Sequence, residues 1–367
     1  VSPLIVLATD SQDPSGLGEH MITLGEALSE RFEIVLAGPN RALGMAFLGR
    51  AARRGLRIKA IDLDRLDLFT HWLRSSRASL LHVHAGIGWE GHDLVRHGKA
   101  SALPVVRTEH LPYLLTSPVQ QAAYRAMLQS VDARIAVSQA VFDTHAGQGG
   151  GRQTVVRNGI AHRPAAASAA ELRATFGLLA DDTIVLTVAR FTPQKAHDVL
   201  VAAAPAVLQR NPKAKFLLVG SGPEQANIEA AIAKLGLADS FILPGHRDDI
   251  ADMMAITDVF VLPSHFEGLP LAVLEAMAAS VPVVATTIGG TIEAIGDAHP
   301  FLVPPGDAEA LARAILRATA EPETARAATV AAAARHAEHF TAARMAAQTA
   351  EVYAPWLPTS FTQGANL

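Results

Sequence analysis

Short runs of β-branched and leucine-type residues alternate along the whole chain with longer stretches whose apolar positions recur at helical spacing. That alternation is the mark of parallel sheets with crossover helices, because a strand covered on both faces reads as one continuous apolar run. In the first half the pattern predicts strands at 4–8, 33–37, 57–61, 81–84, 105–108, 134–137 and 154–157. In the second half it predicts strands at 184–189, 215–219, 241–244, 259–262 and 282–285. The pattern lapses over 162–170, where small residues dominate, and this stretch reads as a linker. The fold class expected is α/β, with two Rossmann-like doubly wound domains at 1–163 and 171–340. Gly149, Gly150 and Gly151 are read as a loop inside the first of them, and 341–353 as a closing helix.

Composition narrows the picture in three ways. A length of 367 residues allows each half its own core, and the formal net charge of -4 leaves no overall basic field for nucleic-acid phosphates. No nucleic-acid partner is expected. Cysteine is absent, which excludes disulfides and thiolate metal sites. The first strand begins without a basic leader, and no apolar run reaches the roughly eighteen residues of a membrane span, so a cytoplasmic protein is expected.

The chemistry concentrates in 264–277, Ser-His-Phe-Glu-Gly-Leu-Pro-Leu-Ala-Val-Leu-Glu-Ala-Met. It follows an apolar run that reads as a buried strand, and Pro270 suits the first turn of a helix, where its missing N–H costs nothing. Gly268 lets the backbone approach a ligand, and the N–H groups of the helix start after it, with Leu269, can form an anion site with the helix dipole. Glu275 can accept from a ribose diol and Glu267 from another sugar, so the pair reads as a nucleotide-sugar clamp; an ordinary amphipathic helix behind a polar loop is the alternative. Arg190 and Lys195 follow the first strand of the second half, where two cations can neutralise a diphosphate or stand as solvated loop charges. Gly220-Ser-Gly222-Pro is a further glycine turn after a strand, and His110 follows the 105–108 strand. His82 and His84 are read as pointing to opposite faces of their strand, unable to share a metal, and as structural. Ser15-Gly16-Leu-Gly18 opens a helix after the first strand; it lacks a full dinucleotide fingerprint, and no acid closes the next strand. Arg41, Arg50, Arg53, Arg54, Arg57 and Lys59 come with no acid in 41–60, which fits either a membrane-surface helix or a sheet-covering helix with a basic rim.

The Glu-x7-Glu spacing of Glu267 and Glu275, within Glu-Gly-Leu-Pro and Glu-Ala-Met, resembles the signature of retaining glycosyltransferases of family 4. The resemblance implies a GT-B fold, with two domains facing across a cleft and a terminal helix, about 341–367, crossing back to the first. It implies a nucleotide-diphosphate sugar, UDP- or GDP-linked, held mainly by the second domain, and a saccharide or lipid-linked acceptor held mainly by the first. Arg190 and Lys195 would sit at the leaving pyrophosphate, Glu267 at the donor sugar and Glu275 at the ribose. Gly222 would wall the donor pocket, and the 241–247 segment ending at Arg247 would read the base through its backbone. His110 would reach the donor sugar and phosphate, and Gly16 would admit a donor phosphate or acceptor. Ala189 and Ala196 stand where the family usually has glycine, Ser15 where the first of two glycines is usual, and Ala161 where an aspartate follows Asn-Gly-Ile. The cations do the neutralising that a metal does elsewhere, so neither metal nor cofactor is implied. Peripheral contact with the inner membrane face through 41–60 would suit a lipid-linked acceptor. The rival functions are a catalytically silent nucleotide-sugar-binding partner protein and an epimerase or phosphorylase of the same fold.

Overall fold

The computed structural model describes residues 2–362 and divides into two compact units. One runs to Ala161 and takes in the chain again from Phe340; the other is His162–His339. The first unit carries seven strands: β1 (Leu4–Ala8), β2 (Glu33–Pro39), β3 (Arg57–Ile61), β4 (Leu80–Ala85), β5 (Val105–Glu109), β6 (Ala133–Ala136) and β7 (Arg152–Val155). They form one parallel sheet in the order β3-β2-β1-β4-β5-β6-β7. The second unit carries β8 (Thr183–Val188), β9 (Ala214–Val219), β10 (Phe241–Gly245), β11 (Val259–Leu262), β12 (Val283–Thr286) and β13 (Leu302–Val303). Its sheet is also parallel, in the order β10-β9-β8-β11-β12-β13. Each is a doubly wound sheet whose order reverses beside its first strand, between β1 and β4 and between β8 and β11.

Strand alternation explains the covering of both faces. Ile5 and Leu7 pack with Met21, Leu24 and Phe47, whereas Leu4, Val6 and Ala8 pack on the other side with Phe69, Leu73 and Leu94. The chain's return to the first unit is fixed in two ways. Ile160 pairs with Thr341 in a parallel bridge, its N–H donating to Phe340 C=O at 2.9 Å while its C=O accepts from Ala342 N–H at 3.0 Å. Gly159 permits this approach, since a Cβ there would collide with the Thr341 carbonyl. The helix Ala342–Tyr353 then packs on the helix Ser15–Leu28 and buries Met345, Ala350 and Tyr353 in the first core.

Several expectations change in detail. β13 was not predicted, because two residues give no periodicity. β7 lies two residues earlier than the predicted 154–157, paired to β6 through Ala136 and Val155. Pro270 precedes the helix Leu271–Ala278 as its N-cap, and does not sit within the first turn. The expectation for His82 and His84 is wrong. Residues two apart on a strand share a face, and the two rings lie 4.1 Å apart.

In the basic segment, the helix Ala42–Arg53 buries Gly44, Phe47, Leu48 and Ala51 against the sheet. Arg50 pairs with Glu19 at 2.8 Å, and Arg54 with Glu26 and Arg57 with Glu33 at 3.0 Å. Arg41 also reaches Asp64 at 3.7 Å, so acids from neighbouring elements pair with at least four of the six cations, which favours the sheet-covering helix. Anionic vesicles at low salt are expected to leave the protein in the supernatant; co-sedimentation, reversed by salt, would restore the docking idea.

Candidate functional site

The second unit gathers most of the predicted residues at the carboxyl ends of β8 and β11, where its sheet order reverses. The loop after β8 carries Arg190 and Lys195, and the loop after β11 carries Ser264, Glu267 and Gly268. Lys195 Nζ lies 2.5 Å from Glu267 Oε1, and Ser264 Oγ donates to the same oxygen at 2.7 Å. Glu267 is only 6% exposed, so these two donors offset the cost of burying its charge. Gln194 adds a scaffold between the loops: its Nε2 donates to Phe266 C=O at 2.9 Å, and its own C=O accepts from His265 N–H at 2.8 Å.

Glycines let these loops close on one another. A Cβ at Gly222 would strike the Phe191 carbonyl, one at Gly220 the Ala189 carbonyl, and one at Gly290 the Gly268 carbonyl. Gly222 is therefore demanded by loop packing, whatever it also does for a ligand. Ala196 adopts φ 51° and ψ 44°, the left-handed region that favours glycine, and this is the position after Lys195 where the family usually has one. Gly268 and Leu269 are buried just before the helix Leu271–Ala278, and Glu275 lies half-buried within it. Arg247 is committed elsewhere: it forms a bidentate pair with Asp249, at 2.7 and 2.5 Å, and lies over the Phe176 ring. Its side chain is thus occupied within the segment and over the Phe176 ring.

Gly16 and His110 belong to the first unit. Nothing lies within 4 Å of a Cβ built on Gly16, so the space beside it is open. His110, just past β5, meets two histidines that sequence reasoning did not connect with it. His84 Nδ1 lies 3.1 Å from His110 Nε2, and the His20 ring centroid is 4.5 Å from that of His110. Burial pushes His20 down to about 4, and burial together with the neighbouring imidazoles holds His84 and His110 well below the ordinary histidine value. The His-x-His spacing on β4 was the available signal, once its shared face is recognised. His82 anchors the group from behind, with Tyr353 Oη 2.6 Å from its Nδ1 and Thr108 Oγ1 2.7 Å from its Nε2.

Asp10, in the loop after β1, was also missed. Its carboxylate accepts the Gly91 N–H at 2.8 and 2.9 Å. Burial, helped by the Glu90 charge, raises its pKa to about 6 against the lowering effects of that N–H and of Arg107. A raised folded-state pKa favours the protonated fold, so this contribution is full below about pH 4 and is lost as pH rises through 6. Asp10→Asn is expected to remove that dependence, and to stabilise the protein at pH 7.5 relative to wild type by up to about 3 kcal/mol. Denaturant melts of both proteins at pH 4.5 and 7.5 check this; parallel pH curves would overturn it.

The family described as Glycosyltransferase Family 4 matches residues 14–163, and the one described as Glycosyl transferases group 1 matches residues 168–335. The chain belongs to these glycosyltransferases. The family 4 chain is 37% identical over 218 residues to a D-inositol 3-phosphate glycosyltransferase of Streptomyces avermitilis, covering 55% of this chain and 47% of that protein. It is 35% identical over 162 residues to a 2-deoxystreptamine glucosyltransferase of Streptomyces kanamyceticus, covering 43% of this chain and 42% of that protein. The match thus spans under half the length of either relative. Among solved structures, HepE of Anabaena in complex with UDP-glucose superposes with a TM-score of 0.82 at 21% identity, over 96% of this chain and 99% of that one. Sucrose-phosphate synthase of Thermosynechococcus elongatus follows with 0.77 at 23% identity, over 96% and 98%. At such identities these two likenesses establish the GT-B fold of the family 4 chain. Among the described residues no helix is long and apolar enough to cross a membrane.

Proposed function

We propose that the protein transfers a hexose from a nucleoside diphosphate sugar to a hydroxyl acceptor, with retention at the sugar carbon. The observation that carries the reading is the Lys195–Glu267–Ser264 arrangement at the sheet reversal, beside the Gly268 turn and the start of the Leu271–Ala278 helix. Such a site offers a cation and backbone N–H groups to a departing diphosphate and a carboxylate to sugar hydroxyls. In the proposed reaction the bond between the sugar carbon and the diphosphate oxygen breaks, and the acceptor oxygen bonds to the same carbon on the same face. The acceptor proton passes to a donor phosphate oxygen. The protein then supplies electrostatics and orientation, with no enzyme nucleophile, and the two glutamates are not an acid/base pair. Lys195 and Arg190 serve the diphosphate, Glu267 the sugar and Glu275 the ribose. His110 and Gly16 serve the reaction from the first unit. The UDP-glucose complex of HepE makes uridine the first base to try. Two relatives named for cyclitol acceptors make a ring polyol the first acceptor.

UDP is expected to stabilise the protein by about 2.7 kcal/mol at one hundred times its dissociation constant. Glu275→Ala is expected to lose most of that response, and GDP and ADP to give less. Thermal melts with each nucleotide test this. No shift with any nucleotide would overturn the donor-site reading, and a shift unchanged in the variant would remove Glu275 from the site.

A further inference from the structure

The transfer reaction proposed above calls on His110 but not on the two histidines packed beside it, His20 and His84. His20, on the helix Ser15–Leu28, His84, on β4, and His110, just past β5, each offer a ring nitrogen, and these nitrogens all lie within 4.8 Å of one another. His20 and His84 are 4% and 0% exposed. The only contact between ring nitrogens recorded for the three is the 3.1 Å approach of His84 Nδ1 to His110 Nε2. His20 Nδ1 is buried without a hydrogen-bond partner. A polar atom left so normally costs about 1–3 kcal/mol, and a protein that retains it beside two other imidazoles usually has a use for its lone pair.

We propose that His20, His84 and His110 form a three-histidine site for a divalent transition metal of the zinc class. Imidazole suits zinc, cobalt, nickel and copper, whereas magnesium and calcium want oxygen ligands, and no carboxylate belongs to this cluster. Three ligands on a tetrahedral ion at about 2.0–2.1 Å stand roughly 3.3 Å apart, close to the separation of His84 Nδ1 and His110 Nε2, which are the ring nitrogens that would ligate. The wider span of the set is closed by small rotations of the rings. His84 is braced for this role by His82, whose ring lies 4.1 Å away and is itself fixed by Tyr353 and Thr108. Three protein ligands leave the fourth position to water or to a ligand oxygen. Metal binding would tie up His110, which the proposed transfer reaction places at the donor, so the loaded protein is expected to be inhibited; that inhibition rests on the functional reading, and the site itself does not.

Cobalt titration of chelator-treated full-length protein tests the site directly, because a tetrahedral cobalt complex absorbs in the visible and an octahedral aquo ion scarcely does. One equivalent is expected to give that band, and zinc to discharge it. His20→Gln and His84→Ala are each expected to weaken binding at least 100-fold, while exposed His71→Ala binds as wild type. Circular dichroism confirms that each variant is folded, and His20→Gln alone carries the test if His84→Ala is not. Absence of the band, or equal affinity in wild type and His20→Gln, overturns the site. The UDP melt is run on the same preparations: a nucleotide response without a cobalt band sinks the metal site alone, and a cobalt band without a nucleotide response sinks the transferase reading alone.

Discussion

Lys195→Ala is expected to lower kcat by about 10²–10³, the loss typical of one preorganised charge or donor aimed at a developing anion. The same change strands Glu267, which is 6% exposed and, among the described residues, keeps the Ser264 hydroxyl at 2.7 Å and a long 3.5 Å approach from Gln194. A loss of stability of about 1–3 kcal/mol should therefore accompany the loss of turnover. The two effects separate in the double variant Lys195→Ala with Glu267→Gln. A neutral amide needs no counter-charge, so stability should recover, while turnover should fall below that of Glu267→Gln alone. If the double variant turned over like Glu267→Gln alone, Lys195 would be a structural partner of Glu267 and would have no role at the diphosphate. Steady-state kinetics and denaturant melts on wild type, the two single variants and the double variant decide between these outcomes.

Arg107→Met should be the most damaging single substitution for stability, by about 3–5 kcal/mol. Arg107 grips Glu109 from β5 itself, Nε to Oε1 at 2.6 Å and Nη2 to Oε2 at 3.2 Å, with side chains 0% and 3% exposed. Tyr124 Oη donates to Glu109 Oε1 at 2.8 Å, and Arg107 Nη1 donates to Glu90 C=O at 2.7 Å. Burial alone would raise the Glu109 pKa, but the Arg107 and His145 charges and the Arg107 and Tyr124 hydrogen bonds together hold it below the usual carboxylate value. A lowered folded-state pKa means the pair stabilises the fold above the ordinary glutamate pKa of 4.5 and releases that stability as pH falls through the lower folded value. Removing the guanidinium leaves an uncompensated buried carboxylate. Arg107→Met with Glu109→Leu removes both charges and should lie closer to wild type than Arg107→Met alone. Urea melts check this order, and equal destabilisation of the two variants would mean that packing, not charge, sets the cost.

The pair also marks a limit of what the sequence shows. β1, β4 and β11 were legible because both faces of each are buried and every position is apolar or nearly so. β5 was found from Val105 and Val106, yet nothing in its pattern announced that Arg107 and Glu109 point inward and neutralise each other. Asp10 escaped for a related reason: its meaning depends on the Gly91 N–H, 81 positions away. The donor-side loops were legible because their chemistry is local in sequence, Ser264, Glu267, Gly268 and Glu275 lying within one strand-loop-helix unit. The contacts of that unit with Gln194, Lys195 and Gly290 required the fold. The histidine cluster was hidden by a misjudged strand geometry, and the two-residue β13 by its brevity.

The bridge between Ile160 and Thr341 has a consequence for synthesis as well as for shape. Because the second unit is threaded into the first, the first 161 residues leave the ribosome without Met345, Ala350 or Tyr353, which belong to their own core. His82 emerges long before the tyrosine hydroxyl that will hold its Nδ1. The nascent amino-terminal half must therefore persist with an open apolar face until all of His162–His339 has been made, so the unit translated first is the one completed last.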